Sequence, residues 1–181
     1  HAHHAPHTFT ITCPTYQSYY YYYYYYYYLT IWPLPSRSGF SFGVHTPASA
    51  SALLNIVVRN GTVSNFTNGQ VRLYAELGRI ENVTATGGEQ SALSIFSGES
   101  SMFIGCRVDD AADGNYAFIT STSTYGAVVA DCHARLTGIG FDVGDGAAIR
   151  DSTALAMQGA YGFFVESASV LRRCAARDGA G

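Results

Sequence analysis

A right-handed parallel β-helix over residues 51–181, six stacked rungs of roughly 23 residues each, is the fold that the sequence predicts. Three observations predict it: a short pattern that recurs along the chain, a turn-former at a fixed place within it, and a change of inward parity at that place. The pattern is an apolar residue, any residue, a turn-former, then a small or apolar residue. It reads Val58-Arg59-Asn60-Gly61, Ile80-Glu81-Asn82-Val83, Phe103-Ile104-Gly105-Cys106, Val129-Ala130-Asp131-Cys132, Ile149-Arg150-Asp151-Ser152 and Leu171-Arg172-Arg173-Cys174. Its last members lie 22, 23, 26, 20 and 22 residues apart, a period that suits one coil of a β-helix and is too short for helical-pair repeats of about 33 residues or more.

The third place holds Asn60, Asn82, Gly105, Asp131, Asp151 and Arg173. All but Arg173 are types that tolerate a left-handed backbone. Parity agrees with chemistry, since Val129 and Cys132 both point inward yet are separated by an odd number of residues. A strand has a side-chain period of two, so one bent residue must lie between them. Beyond the bend a second inward position follows, filled by Val63, Ala85, Val108, Ala134, Ala154 and Ala176. Ahead of the pattern each later coil has a further short strand: Val71-Arg72-Leu73, Leu93-Ser94-Ile95, Ala117-Phe118-Ile119, Phe141-Asp142-Val143 and Phe163-Phe164-Val165. Every coil thus contains three strands, and stacking pairs each with its copies above and below. Inward residues then form continuous apolar columns, which give a stability that one rung lacks.

Residues 1–50 have another composition and no predicted fold. They open on His1, His3, His4 and His7, continue through ten consecutive tyrosines, Tyr19 to Tyr28, and end in a Pro/Ser/Gly-bearing stretch. A homopolymer has no alternation to choose an inward face or a register. The segment reads as a low-complexity leader, disordered or outside the genuine protein. A tyrosine-rich adhesive tail and a histidine metal site are its rival readings, the second lacking a Cys or acidic residue to complete it. Cys13 has no evident partner there.

The phrases NIVVRNGTVSNF, GRIENVTATG, VVADCHARLTGIGFDVGDGAAIRDSTALA and GFFVESASVLRRCAARDGAG resemble the right-handed parallel β-helix repeat proteins of the pectate lyase-like superfamily. The resemblance covers about residues 52–181 and falls on scaffold positions. It implies a β-helix, an extracellular or cell-surface setting, and a polysaccharide partner.

The outer face of the strand before the pattern is where sugar-cleaving members of that superfamily work. Here that row reads Arg72, Ser94, Phe118, Asp142 and Phe164. Glycoside hydrolysis needs two carboxylates about 5–10 Å apart, and the row offers Asp142 alone. The polygalacturonase pattern of a paired Asp, a Gly-His-Gly and an Arg-Ile-Lys is matched only by Asp109-Asp110, in a loop, so no catalytic residue transfers. His133 is expected to face outward on another strand. Arg72, Phe118, Asp142 and Phe164 are therefore the expected glycan-binding residues, without catalysis by this chain. The alternative is a piece of a polysaccharide lyase or glycoside hydrolase whose catalytic rungs lie elsewhere; a truncated chain with no activity of its own is a third reading.

Other features carry less chemistry. The loop with Asp109, Asp110, Asp113 and Asn115 offers oxygen ligands of the kind calcium takes, against the reading of a plain acidic turn; no other cofactor is implied. Glu76, Glu99, Asp145 and Glu166 are expected along one edge of the solenoid. Cys106, Cys132 and Cys174 recur at rung spacing with no CxxC pair, as small inward thiols do. Asn60, Asn65 and Asn82 each begin an Asn-x-Thr glycosylation pattern, with Asn65 alone outside the bend column.

A net charge of −3 and only 13% charged residues give no footprint for nucleic acid. No apolar run approaches the ~18 residues of a membrane span. Exposed strand edges at the end of the stack predict edge-to-edge self-association, so residues 51–181 alone should aggregate or need flanking sequence.

Overall fold

The computed structural model describes residues 10–12, 42–46, 55–64, 69–88, 91–96, 100–110, 116–120, 125–159 and 161–178. Among them the chain is all β: β1 (Thr10–Thr12), β2 (Phe42–His45), β3 (Val57–Ser64), β4 (Gly69–Tyr74), β5 (Arg79–Thr86), β6 (Leu93–Phe96), β7 (Met102–Ile104), β8 (Arg107–Asp109), β9 (Tyr116–Thr120), β10 (Val128–Ala130), β11 (His133–Arg135), β12 (Ile139–Val143), β13 (Ala148–Arg150), β14 (Thr153–Met157), β15 (Phe163–Val165), β16 (Val170–Arg172) and β17 (Ala175–Asp178). No helix among the described residues is long and apolar enough to cross a membrane.

The strands stack in parallel into a β-solenoid of about five turns. One sheet runs β2-β4-β6-β9-β12-β15, and we call it the B sheet. The other, the A sheet, carries two strands from each later coil. β7, β10, β13 and β16 lie before the bend, and β8, β11, β14 and β17 after it. β3 and β5 run through the bend as single strands of eight residues. Six strands in a column make five steps, which reconciles the six predicted rungs with about five turns. At about 4.8 Å per step the stack rises roughly 24 Å.

The predicted bend column is present in full. Asn60, Asn82, Gly105, Asp131, Asp151 and Arg173 have φ of 59, 51, 62, 53, 52 and 51°. The Asn82 amide donates to the Asn60 side-chain oxygen at 3.3 Å, so the bend residues also bond along the axis. At Gly105 a Cβ would lie 2.5 Å from the Asn82 Oδ1. Glycine stands there because the position is both left-handed and occupied from below.

One bend per coil is an undercount, because among the described residues four of the coils have three left-handed corners. A second column holds Asn55, Leu77, Ser100, Gly126, Gly146 and Ala168, and a third holds Gly87, Asp110, Leu136 and Ala156. Most of these corners are tied to the next coil by a backbone bond. Gly126 N–H donates to Asp145 O at 3.1 Å, and Leu136 N–H to Leu155 O at 3.1 Å. Such a tie holds Leu136 in a conformation that costs a non-glycine residue about 1–2 kcal/mol.

The core lies inside the coils. Val58, Ile80, Phe103, Val129 and Ile149 are buried, as are Val63, Ala85, Val108, Ala134 and Ala154. Cys106, Cys132 and Ser152 fill the column after the bend, with the Ser152 hydroxyl accepting from Cys132 N–H at 3.2 Å. Three aromatic contacts run up the axis: Phe103 meets Phe118 edge-on at 5.6 Å, and Phe118–Phe141 and Phe141–Phe163 stack at 4.7 Å. Two strands fall within the segment read as a leader. β2 pairs in parallel with β4, Val44 opposite Val71, and β1 pairs antiparallel with β3, Ile11 opposite Val58.

Candidate functional site

The outer face of the B sheet gathers the chemistry that this fold presents. Register sets its rows. His45, Arg72, Ser94, Ile119, Asp142 and Phe164 lie side by side across the six strands. Two residues further along, Tyr74 lies opposite Phe96, and Glu166 continues that row beyond β15, its N–H bonded to Val143 O at 3.2 Å.

Phe118 is not in the outer row. It aligns with Leu93 and Phe141 and is fully buried, and Ile119 takes the outer place. An outward Phe118 requires Ala117 and Ile119 to face inward. The inward pair is instead Phe118 and Thr120. The buried Thr120 hydroxyl accepts a bond from Gly144 N–H at 3.0 Å, which lets a polar residue face the core.

Arg72 and Phe164 occupy the outer positions predicted for them, with Phe164 46% exposed. Asp142 lies between them on the same row. Burial first, and the Glu166 charge second, raise its carboxyl above the usual carboxylate range. Ser94 shares the row but is buried, its hydroxyl donating to Val71 O at 3.2 Å.

Two clusters result. At the lower end, Tyr74 stacks on Phe96 with centroids 5.4 Å apart and planes 28° apart. The Arg72 guanidinium carbon lies 5.4 Å from the Phe96 centroid, and His45 meets Tyr74 edge-on at 6.0 Å. Burial, then the Arg72 charge, lower the His45 pKa, which favours its neutral form. At the upper end, Tyr161 and Phe164 lie 5.7 Å apart beside Asp142 and Glu166. The face therefore joins a cationic aromatic platform to an acidic aromatic one.

Sequence reasoning missed Tyr74, Phe96 and Tyr161. The first two share the parity of Arg72 and Ser94, so extending each strand by one outward position would have found them. The sequence spacing places Glu166 on the turn edge with Glu76 and Asp145. Ser167 holds that position, the residue before the left-handed Ala168, as Glu76 precedes Leu77 and Asp145 precedes Gly146. Turns of unequal length shifted the count by one. Glu99 lies outside the described residues.

The other candidates stand apart from this face. Asp109 is paired with Arg107, and Asp110 is a left-handed corner. Asp113 and Asn115 lie outside the described residues, and among those described no group of three or more His, Cys, Asp or Glu could hold a metal ion. His133 is exposed on the A sheet, its Nδ1 2.7 Å from the Thr153 hydroxyl. Asn65 and Cys13 also lie outside the described residues. No family model, curated protein or solved structure matches this chain.

Proposed function

We propose that this chain is a β-helix module of the right-handed, pectate lyase-like kind that binds an extended glycan at the cell surface without cleaving it. The observation that carries the reading is the Tyr74–Phe96 stack with Arg72 over one ring. Pyranose rings offer flat C–H faces to aromatic surfaces, and arginine supplies planar donors for the hydroxyls or carboxylates at their rims. Six strands at about 4.8 Å spacing make a track roughly 24 Å long, with Phe164 as a further aromatic surface at its far end. Fold alone does not imply this activity; the side chains on the outer face do.

A glycan array, with release of reducing and unsaturated ends measured in parallel, tests the proposal. Binding without product is expected, weakened about tenfold or more by Tyr74→Ala with Phe96→Ala, equivalent to about 1.4 kcal/mol. Unchanged binding in that double variant would sink it.

The second reading, a piece of a polysaccharide-degrading enzyme, draws on Asp142 and Glu166. Two carboxylates on one face, one held protonated to higher pH, suit general acid catalysis. Product release abolished by Asp142→Asn would favour it.

A further inference from the structure

Two exposed patches on different faces of the same two coils match each other in charge and in apolar character. On the A sheet, Arg150 and Arg172 lie opposite one another on neighbouring strands, and both are exposed. Beside them runs an outward apolar row of Met102, Val128, Ala148 and Val170, with Val170 49% exposed. Two guanidinium groups one rung apart repel each other. On the B sheet, Asp142 and Glu166 form the like-charged acidic pair, flanked by Tyr161 and Phe164, which are 51% and 46% exposed.

Among the described residues neither pair has an ion-pair partner. The ion pairs among the described residues are Arg79–Glu81, Arg107–Asp109 and Arg173–Asp151. They leave out Arg150, Arg172, Asp142 and Glu166, although Arg150 also acts on the Asp151 carboxylate that Arg173 holds. Height matches as well as charge. β12 with Asp142 and β13 with Arg150 belong to one coil, and β15, leading to Glu166, and β16 with Arg172 belong to the next. A second solenoid with its axis parallel to the first can present its acidic aromatic patch to this basic aliphatic one by rotation about that axis, with no axial shift.

We propose that these two faces form a heterologous interface between copies of this chain, which pack side by side with rungs in line. The contact differs from edge-to-edge stacking, since it joins outer faces and leaves the coil ends untouched. Because it needs no axial translation, its repetition gives a ring or a flat lateral array, not a helical filament. It shares Asp142 and Phe164 with the proposed glycan track, so association shortens the accessible track to its Arg72–Tyr74–Phe96 end. The interface does not depend on the glycan reading.

Charge reversal in the full chain tests the interface by analytical ultracentrifugation, with circular dichroism confirming that each variant folds. Wild type should associate with rising concentration, and more weakly as salt rises from about 0.05 to 0.5 M. Arg150→Glu with Arg172→Glu, and separately Asp142→Lys with Glu166→Lys, should each weaken self-association about tenfold or more. Mixing the two variants restores it, because each supplies the face that the other has reversed. A wild type that stays monomeric, a mixture that fails to associate, or reversed variants that associate like wild type would overturn the proposal. Tyr74→Ala with Phe96→Ala should leave association unchanged, which separates this outcome from failure of the glycan reading.

Discussion

At the scale of single residues, this molecule tolerates conformations that a strand normally rejects. Leu77, Leu136, Ala156 and Ala168 have φ between 53 and 57° with no side-chain chemistry to favour it. Leu136 N–H donates to Leu155 O, and the residues preceding Leu77, Ala156 and Ala168 accept from Asn55, Leu136 and Gly146 N–H, so bonds between coils at the corners offset a cost that recurs with the coil. Asp142 is strained in an electrostatic sense instead. Burial and Glu166 raise its folded-state pKa above the unfolded value. An acid shifted in that direction favours the folded state while protonated. The benefit is whole below the unfolded pKa, near 3.8, and is lost as pH rises through the higher folded value. Asp142→Asn, which cannot ionise, should therefore gain stability relative to wild type as pH climbs through that window. Urea unfolding from pH 3 to 7 measures this, and parallel pH profiles for the two proteins would contradict it.

At the scale of an element, β9 shows how one residue of register decides a side chain's job. Phe118 stacks on Phe141 at 4.7 Å inside the solenoid and meets Phe103 below. Removing a buried aromatic ring costs about 3–5 kcal/mol. Phe118→Ala should accordingly lower stability by that amount while leaving the folded protein's glycan affinity within about twofold of wild type. Chemical denaturation and binding measured on the same sample separate the two effects. A large loss of affinity in folded Phe118→Ala would return that residue to the outer face. The cysteine column follows the same logic. Cys106 donates to Ile80 O and Cys132 to Ala130 O, and burial pushes the Cys132 thiol pKa up, so these groups act as small apolar fillers.

At the scale of the whole molecule, stability is a sum of coils and the contacts between them. Its two described ends differ. Val44, Ile56, Val58 and Val63 in the first coil are buried, whereas Leu171, on the inward column of β16, is 42% exposed. Among the described residues β16 pairs with β13 alone, while β10 is held between β7 and β13. Amide hydrogen exchange should be at least about tenfold faster at Val170–Arg172 than at Val128–Ala130, as expected of an element with one neighbour in place of two. Equal protection would mean that the solenoid opens only as a unit.

The sequence by itself determined the repeat, the bend column, the inward aliphatic and cysteine columns, and all five strands placed before the pattern, with the facing right in four of them. These were legible because a strand's parity and a left-handed turn restrict residue type locally, and the restriction repeats at every coil. The same local signal failed at Phe118, where a hydrogen-bonded Thr120 mimics an outward residue, and at the two corner columns where Leu, Ala and Ser stand among the Gly, Asn and Asp. It also missed the neighbourhoods: Arg72 over Phe96, Tyr74 on Phe96, and Glu166 beside Asp142. Those contacts join residues more than twenty positions apart through turns of unequal length. Only the stacking of coils brings them together, because register across a parallel sheet is set by backbone bonds between turns and not by the spacing within one.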